Sequence, residues 1–105
     1  MTIDVQRQSV LGLRMIKSFK CRKTERLFEG QHIAAFSGFK RQAEKRLRIL
    51  DAADTLEALA ALPSNRFERL SGDRAGQYSI RVNQQWRVCF TWNEGANDVE
   101  IVDYH

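Results

Sequence analysis

The 105 residues predict an α+β fold, with an N-terminal strand and two or three helices packed on a twisted antiparallel β-sheet. Two observations carry that reading. Apolar residues recur at steps of three and four through the first half of the chain, the period of a helix with one buried stripe. After Pro63 the pattern changes to alternation in short runs separated by Gly and Asn, the pattern of strands and tight turns.

Taken in order, Met15-Ile16-Lys17-Ser18-Phe19 reads as a short first strand, and residues 22–29 as a short helix stopped by Gly30. Residues 30–38 read as a loop. The next helix begins at Phe39, and Phe36, Phe39, Ala43, Leu47 and Leu50 form one stripe while Arg41, Lys45 and Arg48 fall on the opposite face. Asp54 followed by Glu57 has the spacing of a capping box, which restarts a helix through Leu56, Leu59 and Leu62. Pro63 ends it and Pro63-Ser64-Asn65 turns the chain into the β half. Strands are then expected at 67–70, 78–83, 86–92 and 99–104. Their connecting turns are Gly72-Asp73-Arg74-Ala75-Gly76, Asn83-Gln84-Gln85 and Glu94-Gly95-Ala96-Asn97.

Parity within the central hairpin makes a sharper prediction. Trp86, Val88, Phe90 and Trp92 share one face of their strand, and Arg87, Cys89 and Thr91 the other. Ile80 and Val82 must join the apolar face, so Ser79, Arg81 and Asn83 join the polar one. Val82 then faces Trp86 across the turn, and Arg81 stands directly opposite Arg87 with Cβ atoms about 5 Å apart. Like charges at that spacing repel. An anion between them relieves the repulsion, and paired guanidiniums match the oxygens of a phosphate. The other source of relief is a carboxylate on a neighbouring strand, with Asp103 and Glu100 the candidates.

The chain's size excludes a cofactor-binding domain joined to a separate substrate domain. No run of about 18 apolar residues and no basic-then-apolar leader is present, which points to a cytoplasmic protein with no membrane partner. Cys21 and Cys89 are far apart, and His32 and His105 are the only histidines. Reduced thiols are therefore expected, with neither a metal site nor a cofactor. The net charge of +4 is unevenly spread: residues 15–50 carry +7, residues 51–105 carry −4 and the first 14 residues carry +1. The basic half, above all residues 40–48, is the surface suited to a polyanion.

Asp103-Tyr104-His105 closes the chain behind the apolar run Val99-Glu100-Ile101-Val102. An acid, a phenol and an imidazole at the end of a strand are three groups able to hold or move a proton.

Four ordered motifs now resemble a known family. Met15-Ile16-Lys17-Ser18-Phe19, Leu70-Ser71-Gly72-Asp73-Arg74-Ala75-Gly76, Ser79-Ile80-Arg81-Val82-Asn83 with Trp86-Arg87-Val88, and Asp103-Tyr104-His105 resemble the HigB-type toxins of bacterial toxin–antitoxin pairs, within the RelE/ParE superfamily. The resemblance runs from residue 15 to residue 105 as one domain and leaves residues 1–14 as an extension of unassigned role. It implies a RelE-like fold and a ribosome-dependent, metal-independent mRNA endonuclease that inhibits translation. It implies as partners the ribosome, mRNA and a HigA-type helix-turn-helix antitoxin, the pair forming a hetero-oligomer on operator DNA. By position Asp103, Tyr104 and His105 match the family's C-terminal catalytic residues, and Arg87 matches the arginine that supports the phosphate. Arg81 and Arg74 lie within matching motifs, Arg81 on the catalytic side and Arg74 with Arg41, Lys45 and Arg48 on the RNA- or ribosome-binding side. Glu68 and Ser71 are departures, since many relatives carry His and Lys there. The alternative within the superfamily is a non-catalytic ParE-like toxin that poisons gyrase.

Overall fold

A computed structural model describes residues 16–103. Helices α1 (Arg22–Phe28), α2 (Lys40–Ala52) and α3 (Leu56–Ala61) precede a four-stranded antiparallel sheet of β1 (Glu68–Arg69), β2 (Tyr78–Arg81), β3 (Arg87–Trp92) and β4 (Ala96–Val102), in the order β1-β2-β3-β4. The expected α+β architecture is therefore present. Met15 lies outside the described residues, but the segment that follows it runs parallel to β4. It is held as two bridges, Ile16 to Ala96 and Phe19 to Val99, in place of the continuous strand expected there.

That segment closes the sheet's exposed edge. Lys17 N donates to Ala96 O at 2.7 Å, Lys20 N donates to Val99 O at 2.9 Å, and Val99 N donates to Ser18 O at 3.1 Å. Further along, Ile101 N donates to Oγ1 of the fully buried Thr24, which fastens α1 to the same edge. An uncovered β4 would offer these groups to another chain.

All three helices lie on one face of the sheet. The predicted stripe of Phe36, Phe39, Ala43, Leu47 and Leu50 is buried, and it packs with Ile80, Val82, Val88, Phe90, Val99 and Ile101 into a single core. Phe39 stacks on Trp86 with ring centroids 5.0 Å apart, while Phe36 meets the same indole edge-on at 6.0 Å. These contacts anchor the start of the central hairpin to the helical layer.

Several local expectations are corrected. Residues 34–38, read as loop, belong to a 3-10 helix (Ala34–Phe39) that carries two of the stripe's aromatic residues into the core, and the α-helix expected from Phe39 starts at Lys40. The cap of α3 is Thr55, whose Oγ1 accepts from Ala58 N at 3.0 Å; Asp54 is one residue too early for the capping box proposed for it. The first sheet strand is only two residues long. β4 begins at Ala96, three residues earlier than expected, because Glu94 and Gly95 both take positive φ (57° and 135°) and complete the turn sooner. Asp98, at φ 53°, marks the bulge that shifts the β3–β4 register.

Candidate active site

The parity prediction holds in the geometry: Arg81 and Arg87 are paired residues across β2 and β3, with Val82 N donating to Trp86 O at 3.0 Å in the turn. Asn83 shapes that turn by accepting from Gln85 N and Trp86 N, both at 2.8 Å, so a side-chain oxygen substitutes for a backbone carbonyl. Both arginines point to the sheet face away from the helices.

This face is polar, yet much of it is buried. Ser79 and Cys89 are fully buried and Arg87 is only 8% exposed. The pairing register aligns Glu68, Ser79, Cys89 and Glu100 in one row across the four strands. Burial pushes the Cys89 thiol up to about 11; Glu100 and Glu68 add to that shift, while the nearby Arg74 and Arg87 oppose it. Cys89 is thus a protonated, inert thiol beneath a layer of charged side chains.

Arg87 is held from several directions. Its Nε donates to Ser79 Oγ at 2.7 Å, and its Nη2 donates to the carbonyl of Arg66. Its ion-pair partner is Glu68, at 4.0 Å and half-exposed, and not the Asp103 or Glu100 anticipated from the sequence. Glu100 instead receives Arg74 at 3.3 Å and Lys20 at 3.6 Å. A half-exposed carboxylate at that range neutralises little charge.

Arg66, Glu68, Arg81, Asn83, Gln84 and Arg87 line an open cleft of about 360 Å³, in which three guanidiniums face one carboxylate. Arg81 is half-buried and, like the Arg66 side chain, makes no hydrogen bond or ion pair among the described residues. The cleft therefore carries excess positive charge and free donor forks suited to a phosphate group.

Asp103 follows Val102, the residue paired with Arg87, and its Oδ2 accepts from Gln85 Nε2 at 2.6 Å. The end of β4 is thereby tied to the turn that borders the cleft. Tyr104 and His105 lie outside the described residues.

The other residues singled out from the sequence lie elsewhere. Arg74 bonds Gln77 and Glu100 and borders a separate hollow with Leu70, Ser71 and Asp73. Arg41, Lys45 and Arg48 are exposed on the outer side of α2, on the opposite side of the molecule from the cleft. Arg48 also borders a hollow lined by Glu29, Glu44 and Asp51, so part of its charge is locally countered. Arg46, of the same basic run, donates to Asn65 Oδ1 at 2.7 Å and acts as a structural clamp.

Sequence reasoning missed Arg66 and Asn65. Only the turn signal Pro63-Ser64-Asn65 pointed to them, and it gave no hint that the following residue would reach the arginine hairpin.

Residues 17–105 match the family described as the RelE-like toxin of type II toxin-antitoxin system HigB. The chain is 37% identical over 93 residues to Toxin HigB-1 of Vibrio cholerae serotype O1 (strain ATCC 39315 / El Tor Inaba N16961), covering 87% of this chain and 98% of that protein. It is 36% identical over 95 residues to the Endoribonuclease HigB of Proteus vulgaris, covering 87% of this chain and all of that protein. A match along nearly the whole length of the described fold, with the arginine hairpin and the C-terminal end inside it, leaves one conclusion: the chain belongs to the HigB family of RelE-like toxins, the toxin half of type II toxin–antitoxin systems, and so has an antitoxin as its partner.

Proposed function

We propose that this toxin is an endoribonuclease that cuts mRNA on the ribosome in the cytoplasm and is restrained by a HigA-type helix-turn-helix antitoxin, the complex sitting on its own operator DNA. The observation that carries the reading is the cleft in which Arg66, Arg81 and Arg87 outnumber the single carboxylate of Glu68. The relative from Proteus vulgaris, named as an endoribonuclease, supports it. Among the described residues no helix is long and apolar enough to cross a membrane.

The reaction is attack of a ribose 2′-OH on the adjacent phosphorus. The P–O bond to the 5′ oxygen breaks, leaving a 2′,3′-cyclic phosphate and a free 5′-OH. One group takes the 2′ proton and another protonates the departing oxygen, while cations stabilise the charge growing on the phosphoryl oxygens. Arg81 and Arg87 supply that positive charge, so the step as written requires no metal. The acid and base roles fall to Asp103, Tyr104 and His105, with Tyr104 also available to stack on a base. On the far side, Arg41, Lys45 and Arg48 dock on ribosomal RNA, whose phosphates give affinity without sequence reading.

The test is cleavage of ribosome-bound mRNA by purified toxin. Arg81→Ala should lower the rate about a hundredfold, the cost of removing one preorganised charge donor, with an unchanged melting temperature. Cleavage at the wild-type rate would remove Arg81 from the reaction. Intact transcripts together with a DNA-damage response after induction would favour the gyrase-poisoning alternative.

A further inference from the structure

Arg66 is in a place where its identity is hard to explain by folding. Its backbone is left-handed, with φ 45° and ψ 49°, a conformation that Gly or Asn adopts readily and Arg does not. The preceding turn imposes it. Asn65 is fully buried, its Nδ2 donates to Leu59 O at 3.0 Å and its Oδ1 accepts from Arg46. Asn65 N and Arg66 N donate to Leu62 O and Pro63 O. The chain leaves this turn with the Arg66 carbonyl aimed at Arg87 Nη2 and the Arg66 side chain exposed along the wall of the cleft.

The backbone of residue 66 thus has a structural role, which needs no arginine side chain and which glycine would fill with less strain. The side chain has none among the described residues, since it forms neither a hydrogen bond nor an ion pair there. A long cation on a strained, rigid backbone next to two opposed arginines suits ligand binding better than folding.

We propose that Arg66 is a third phosphate-binding residue, which takes the phosphodiester next to the one held by Arg81 and Arg87 and so extends the cleft by one nucleotide of single-stranded RNA. This rests on the reading of the cleft as the RNA site. Arg81 and Arg87 stand opposite each other and converge on one phosphate, whereas Arg66 approaches from the β1 side and meets a neighbouring one. Asn83 and Gln84, from the turn after β2, line the same cleft.

The probe is a 2′-O-methyl RNA tetranucleotide, which lacks the attacking hydroxyl and therefore reports binding without cleavage. Its affinity is measured over a series of salt concentrations for wild type, Arg66→Gly, Arg66→Lys and Arg81→Ala. Arg66→Gly should keep or raise the melting temperature, because glycine relaxes the strained φ. It should also weaken binding about tenfold, for loss of one charge-assisted contact, and lower the log–log salt slope by about 0.7, the value for one single-strand phosphate. Arg66→Lys should retain that slope while losing part of the affinity, since the charge stays and the fork goes. If Arg66→Gly binds like wild type while Arg81→Ala is weakened, the cleft remains an RNA site and the role of Arg66 is refuted. If neither variant changes binding, the reading of the cleft as the RNA site falls as well.

Discussion

At the scale of single residues, the two opposed arginines differ although they share a register pair. Arg87 is buried and donates to Ser79 Oγ and the Arg66 carbonyl, so truncation to Ala takes a charged donor away from each. It should cost about 2–3 kcal/mol of stability, and a lost activity would then mix unfolding with catalysis. Arg81, with no partner of its own among the described residues, is the clean probe, which is why the cleavage test above uses it. Cys89 makes a separate prediction. Its thiol is raised toward about 11 by burial, so the folded state holds the proton more tightly than the unfolded chain. The resulting stabilisation, on the order of 2–3 kcal/mol, is complete below the ordinary thiol range and is lost as pH rises through that range toward about 11. Urea unfolding of wild type and Cys89→Ala at pH 7 and at rising alkaline pH should show wild type losing stability relative to the variant. In the native protein at pH 8, iodoacetamide should modify the half-buried Cys21 and leave Cys89 untouched.

At the scale of elements, legibility followed the range of the interaction. The α2 stripe was legible because helical period and burial are one pattern, and the opposition of Arg81 and Arg87 because strand parity allows only one register once Val82 faces Trp86. The start of α3 was read wrongly because Asp54 and Thr55 are both good caps, and Glu57 three residues after Asp54 favoured the wrong one; the choice depends on where φ and ψ turn helical. Thr55→Ala should therefore cost about 1 kcal/mol, while Asp54→Ala should change stability by no more than about 0.5 kcal/mol. Thermal melts of the two variants decide it. The carboxylate facing Arg87 was misassigned for a different reason. Local patterns pointed to Glu100 in β4 and Asp103 just after it, but Glu68 reaches Arg87 only through the pairing of the two-residue β1 with β2, which no short-range signal marks. Arg66 escaped for the same reason, since its position depends on the buried Asn65 and on Arg46 from another helix.

At the scale of the whole molecule, the sheet separates two positively charged surfaces. One is the cleft around Arg81 and Arg87 on the open face; the other is the outer side of α2 with Arg41, Lys45 and Arg48, with the helical core between them. Summed charge over residues 15–50 revealed the second surface, but charge along a chain carries no sidedness, so its position behind the cleft face emerged only from packing. A toxin built this way can touch ribosomal RNA with its back while an mRNA strand occupies its front, and the two contacts should be separable. Arg41→Glu combined with Lys45→Glu changes exposed residues alone and should leave the melting temperature within a degree or two. It should weaken co-sedimentation with ribosomes about tenfold or more, with a shallower salt dependence, because phosphate contacts release counterions. Arg81→Ala should sediment with ribosomes like wild type while cutting about a hundredfold more slowly. If the α2 double variant sediments and cuts normally, the basic back does not dock on the ribosome, and its charge must then serve another partner, for which the antitoxin is the first to test by titrating the same variant against it.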